Sequence, residues 1–198
     1  MTYRKAPPWR RPLLGYACPK SNEPTPFPSA NDLQSVIESP NMKGNPKVIA
    51  SLNEALKEEL LAINQYFLHS EMCENWHYDR LGDHIKKQSI DEMKHAEALI
   101  ERILFLDGSP NLTEPMQLTV GKNVREQIES DLKLEIDAVS MYNRAVKIAL
   151  EEGDDASREL FARLLKDEED HVDWLEAQLH QIHEMGYERY LSQQVREE

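Results

Sequence analysis

Along residues 42–198 apolar side chains recur at alternating steps of three and four, the spacing of one helix face, and the recurrence stops at glycine, proline and polar breaks. This pattern predicts four long helices. The first starts at Pro46, a first-turn proline behind Asn45, and runs to about residue 77. Its stripe reads Leu52, Leu56, Glu59, Ile63, Tyr66, so a glutamate stands where a core residue belongs. The second spans about 79–106 and is ended by Asp107, Gly108 and Pro110. The third, about 124–152, carries Ile128, Leu132, Glu135, Val139 and Tyr142, repeating the first position for position. After Gly153 the fourth runs over about 154–185, with Phe161, Leu164, Glu168, His171, Leu175 and Ile182 inward, and stops at Gly186. Residues 187–195 predict a short fifth helix with Tyr190, Leu191 and Val195 on one side.

The second and fourth helices share a further feature. Glu92 and His95 stand three residues apart, as do Glu168 and His171, and each pair is followed four residues on by a leucine, Leu99 or Leu175. Positions three apart diverge by only about 60° around a helix, so both side chains of a pair reach one point. The chain is thus an internal two-fold repeat of a helix pair. Residues 107–123, with two prolines and two glycines, join the halves by a connection long enough to cross from one end to the other.

Residues 1–41 contain eight prolines, a density that blocks regular helix and central strand, and predict an extended or disordered arm distinct from the domain at 42–198. Trp9, Leu13, Leu14 and Tyr16 give that arm apolar anchors for a docking partner. The formal charge of −13 argues against nucleic acid, which needs a basic face, and the arm's excess of bases leaves the domain still more acidic. Cations are the natural partners. Cys18 and Cys73 build neither a disulfide framework nor a thiolate zinc site, which suits a reducing compartment. No run of eighteen apolar residues predicts a membrane span, and no apolar segment near the start predicts export, so a cytoplasmic protein is expected.

Four inward glutamates each suffer several kcal/mol of desolvation, and their mutual repulsion makes an ionised, empty cluster worse. Two divalent cations balance the four carboxylates, while neutral His95 and His171 complete the shells. Oxygen-rich coordination with one imidazole per ion suits iron or manganese, with zinc as a non-redox competitor. Asp91 and Asp167 each precede a ligand glutamate and are expected to accept the free ring N–H of the histidine on the partnering helix. Tyr66, two turns from Glu59, is read as a hydrogen bonder or electron donor beside the metals, or as a buried core tyrosine.

With these residues in place, 42–198 resembles the bacterioferritin family along its length, through MKGNPKVIASLNEAL, EELLAINQYFLH, SIDEMKHAEALIERILFLDGSPNL, SDLKLEIDA and DEEDHVDWLE. The resemblance implies an all-α, ferritin-like four-helix bundle with a long crossover between helices two and three and a short C-terminal fifth helix. It also implies a hollow homo-oligomeric shell of twenty-four subunits. Glu59, Glu92, His95, Glu135, Glu168 and His171 fall on the family's ferroxidase ligands, two irons per subunit, with Glu92 and Glu168 bridging. Met93 falls on the residue that ligates haem b between two subunits. One position past Glu92 it leaves the inward face and points toward a neighbour. Lys87 and Gln88 stand where many members of the family carry a histidine and an acid, with Asp91 alone remaining, which argues against the extra inner-wall iron site of some relatives.

The function expected is iron storage. Fe(II) is oxidised to Fe(III) by oxygen or hydrogen peroxide and laid down as mineral, and haem passes electrons from a small ferredoxin when iron is released. Two alternatives stand beside it: a di-iron oxidase or hydroxylase acting on an organic substrate, and a non-catalytic, haem-carrying shell subunit whose arm docks a partner.

Overall fold

The computed structural model describes residues 43–196, so the expectations for the arm at 1–41 lie outside the described residues. Five helices account for the regular structure there: α1 (Pro46–Asn75), α2 (Asp79–Phe105), α3 (Val124–Glu151), α4 (Asp155–Met185) and α5 (Tyr187–Ser192). Side chains that satisfy orphan backbone donors set the starts of α1, α3 and α4, whereas α2 starts behind Tyr78 without such a cap. Asn45 accepts from the Lys47 N–H, Asn123 from Glu126 and Asp154 from Ser157. α1 stops two residues short of expectation, because His77 takes a left-handed backbone (φ 63°) that no helix continues through. The fifth helix is shorter than predicted as well. Tyr190 is fully buried and donates to Gln178 Oε1 at 3.1 Å, but Val195 is exposed beyond the helix end.

Contacts between helices fix their directions. Along α1 and α3, Lys47 meets Glu152, Glu54 meets Arg144 and Gln65 meets Asp131, so the two run antiparallel. α1 and α2 are antiparallel too: Gly44 N–H donates to Leu106 O and Ser89 Oγ to Ile63 O, both at 2.9 Å, while Lys86 reaches back to Glu71. α2 and α3 therefore point the same way. The chain between them has to travel the length of the bundle, which explains the long connection.

That crossover is fastened along α1. Asn53 Oδ1 accepts the Asn111 N–H at 2.7 Å, Gln65 Oε1 the Thr119 N–H at 2.9 Å and His69 Nε2 the Gly121 N–H at 3.1 Å. From Asn53 to His69 is about 24 Å of helix at 1.5 Å per residue. Because His69 Nε2 accepts, its proton sits on Nδ1, which donates to the buried Asp131 carboxylate at 3.0 Å. Gly121 is needed at the strap's end, since a Cβ there would lie 2.2 Å from the Gln127 nitrogen.

The core is in two parts. One apolar cluster gathers Val48, Leu52, Leu56, Leu99, Ile103, Tyr142, Phe161 and Leu164; the other gathers Ala62, Tyr66, Ile85, Ile128, Leu175 and Ile182. The stripes drift slightly from the predicted line: Ile63, Leu132 and Val139 are only partly buried, and Ala62 and Ala138 take the inner positions where α1 and α3 approach. Cys73 lies in the second cluster, its thiol pushed up to about 12 by burial first. Among the described residues no helix is long and apolar enough to cross a membrane.

At the start of α4, Asp154 accepts from Ser157 N–H (3.0 Å) and Oγ–H (2.7 Å) and from Arg102 Nη2 of α2 (2.6 Å). Burial pushes its carboxyl up, but Ser157 and the Arg102 guanidinium outweigh burial and hold it below the usual range. The stability this contributes is complete above the unfolded value near pH ~3.9 and disappears as pH falls through the lower folded value. Asp154→Asn is therefore expected to lower the urea-unfolding free energy by about 1 kcal/mol at neutral pH, with the gap from the parent protein closing below about pH 4. A gap independent of pH would show that the carboxylate charge is not its source.

Candidate metal centre

Between the two apolar clusters lies a layer of acids. α1 supplies Glu59, α3 supplies Glu135, and α2 and α4 supply Glu92 with His95 and Glu168 with His171; all four carboxylates are buried. Helical spacing aims each side chain at the bundle axis, and the neighbouring Leu56, Leu99, Leu164 and Leu175 exclude water on either side.

The six side chains form two overlapping groups. Glu59, Glu92, His95 and Glu168 offer ligand atoms within 4.8 Å of one another, as do Glu92, Glu135, Glu168 and His171. Glu92 and Glu168 belong to both, the placement required of carboxylates shared by two ions. His95 Nδ1 lies 2.8 Å from Glu92, 3.3 Å from Glu168 and 3.5 Å from Glu59. His171 Nδ1 lies 2.9 Å from Glu92, 3.2 Å from Glu168 and 3.7 Å from Glu135. Despite this proximity, both Glu92 oxygens, Glu168 Oε1 and His95 Nδ1 make no hydrogen bond. Buried atoms of this kind cost about 1–3 kcal/mol each when left unpaired, more when charged, so the donor set fits cations that the protein's own hydrogens do not replace.

Two phenols steady the outer carboxylates, crosswise. Tyr66 of α1 donates to Glu135 Oε1 of α3, and Tyr142 of α3 donates to Glu59 Oε1 of α1. Tyr66 thus adjoins the cluster and serves the opposite helix's glutamate, not Glu59, two turns away on its own helix. Tyr142 was legible only as a stripe residue; its mirror relation to Tyr66 was the available signal. Burial, then the nearby carboxylates, push both phenols well above their usual range, so they remain donors.

Packed this closely, the six side chains shift one another's affinity for protons. Burial pushes the Glu59 and Glu135 carboxyls well above the usual range, and the charges of Glu168 and Glu92 add to it. Burial opposes ionisation of Glu92 also, yet His171 and His95 hold it down at about 2. His171 rises to about 11 because Glu168 and Glu92 outweigh burial, and His95 is raised likewise by Glu168, Glu59 and Glu92. A cation entering the cluster must displace these protons.

A cleft of about 320 Å³ between α2 and α4 reaches both histidines and is lined by Asp91, Lys94, Arg163, Asp167 and Asp170. Asp167 Oδ2 lies 3.5 Å from His95 Nε2 across the helix pair, within ion-pair reach. Asp91 departs from expectation: its carboxylate is on Lys94 of its own helix at 2.6 Å and not on a histidine. Met93 leaves the inward face, is 54% exposed, and lines an apolar hollow with Ile63, Ile90, Ala96 and Ile100. Gln88, one turn before Glu92, is buried, and Lys87 faces solvent.

A family model of the ferritin-like domain matches residues 49–185. Relatives include the bacterioferritin of Brucella melitensis biotype 1, 48% identical over 149 residues that cover 75% of this chain and 92% of that one. The bacterioferritin of Mycobacterium avium is 44% identical over 154 residues, 78% of this chain and 97% of that one. That of Streptomyces coelicolor is 41% identical over 151 residues, 76% and 90% respectively.

Glu59→Gln keeps an acceptor for Tyr142 and replaces a carboxyl that burial already pushes toward its neutral form. It is expected to change ion-free stability by less than about 1 kcal/mol. The rise of about 2.7 kcal/mol that a cation gives at a hundred times its Kd should be lost. Urea unfolding with and without Mn(II) reads both quantities, and an undiminished Mn(II) effect would remove Glu59 from the ligand set.

Proposed function

The chain belongs to the bacterioferritin family, and from that premise we propose that it stores iron, oxidising Fe(II) at the Glu59, Glu92, His95, Glu135, Glu168, His171 cluster before laying it down as mineral. The observation that carries this reading is the pair of overlapping ligand groups sharing Glu92 and Glu168. Two Fe(II) substrate ions fit there, one toward Glu59 and His95, the other toward Glu135 and His171. Four carboxylates then meet a charge of +4, and the protons now held in the cluster leave. Each ion gives one electron to a shared oxidant. Oxygen accepts two electrons and two protons and departs as hydrogen peroxide; hydrogen peroxide accepts the same and departs as water. The protein places the ions and balances their charge, and the water-excluding apolar layers hold the geometry fixed between turnovers.

A charged cleft at the histidines suits a hydrated cation. An oxidase or hydroxylase for an apolar substrate would call for an apolar approach, so that alternative has less support. Iron storage requires a hollow assembly, and a homo-oligomeric shell of twenty-four subunits is part of this proposal.

Met93 fits a haem b held between two subunits, because an exposed thioether beside an apolar hollow offers a soft donor and a surface for a porphyrin edge. A second copy would bring the matching sulfur. When bound, haem supplies one-electron transfer for iron release, with a small ferredoxin as donor.

Stopped-flow mixing with Fe(II) and oxygen is expected to show a fast oxidation phase that Glu92→Ala or Glu168→Ala slows at least ~100-fold, since each removes a ligand from both ions. A parent protein without the fast phase would point to a non-catalytic shell subunit. Met93→Leu is expected to abolish the haem absorption band and leave that phase unchanged.

A further inference from the structure

The two halves of the cluster mirror each other in sequence, yet their outer sides differ. His95 turns Nδ1 toward Glu92, Glu168 and Glu59, and its Nε2 lies 3.5 Å from Asp167 Oδ2. His171 turns Nδ1 toward Glu92, Glu168 and Glu135, and among the described residues no carboxylate beyond these three pairs with it. The repeat would put Asp91 at its Nε2. Asp91 is instead held 2.6 Å from Lys94 Nζ, three residues on along α2. The residue three beyond Asp167 is Asp170, an acid that offers Asp167 no such partner. One difference between the repeats, lysine against aspartate, leaves one histidine with an outer carboxylate and the other without.

An acid at the outer nitrogen fixes an imidazole's orientation, places the proton on Nε2, frees the Nδ1 lone pair for an ion and makes that nitrogen more basic. Removing such a partner typically weakens metal binding about 10–100-fold. We propose that the two ion positions are unequal: the Glu59–His95 position, steadied by Asp167, takes a divalent cation first and more tightly, and the Glu135–His171 position, whose acid is diverted by Lys94, fills second. This rests on the dinuclear reading of the cluster. Asp167 acts as a positioning residue through His95 and does not itself hold an ion.

Anaerobic titration of the full chain with Co(II), followed by its visible absorption and by calorimetry, tests the inference without turnover. Two resolved binding steps are expected. Asp167→Asn should weaken the first step about 10–100-fold and merge it with the second, and Asp167→Glu should restore much of the separation. Asp91→Asn is the control of equal charge change at the mirrored position; it should shift either step by less than about threefold. Equal effects of the two Asn variants, or a single step in the parent protein, would overturn the proposal. Absence of Co(II) binding altogether would instead overturn the metal-centre reading beneath it.

Discussion

Burying four carboxylates in one layer of a helical bundle is the constraint to which the rest of this structure answers. Each acid costs several kcal/mol to desolvate, and the four repel one another at short range. Among the described residues no lysine or arginine reaches the layer to neutralise it; His95 and His171 are the basic side chains there, and the carboxylates raise their affinity for protons. The apolar clusters on either side make the layer dry, which strengthens repulsion and attraction alike. Such a donor set suits small multivalent cations.

The bundle's geometry distributes the task evenly. α1 and α3 each bring a glutamate and, seven residues on, a tyrosine; because the two run antiparallel, each phenol reaches the other helix's glutamate. α2 and α4 each bring a glutamate that belongs to both candidate ligand groups and a histidine that belongs to one. Positions on rigid helices, packed above and below, place ligands more precisely than loops do. The asymmetry enters only at the rim, where Lys94 faces no counterpart on α4.

Much of this was legible in the chain because mirrored periodicity is a strong signal. A glutamate on an apolar stripe is unremarkable once, but Glu59 and Glu135 at matched positions, beside two Glu-x-x-His pairs, define a centre before any contact is known. What the letters left unread depends on contacts between helices. Helix spacing ties Tyr66 to Glu59, whereas the antiparallel alignment of α1 and α3 ties it to Glu135. Asp91 and Asp167 look equivalent until Lys94 and Asp170 are compared as competitors for them. The buried Gln65, His69 and Asp131 read as ordinary polar helix residues; their role appears only when the crossover lies against α1 and needs its backbone donors satisfied.

The same topology bears on how the chain assembles. α1 with α2, and α3 with α4, are joined by short turns, so each hairpin closes over a modest sequence distance. Bringing the hairpins together joins residues such as Gln65 and Asp131, far apart along the chain, and entropically this is the demanding event. It is also the event that drives all four acids into one dry layer. The joining of the hairpins and the moment of greatest electrostatic stress therefore fall together, so a cation that neutralised the layer would ease that joining as well.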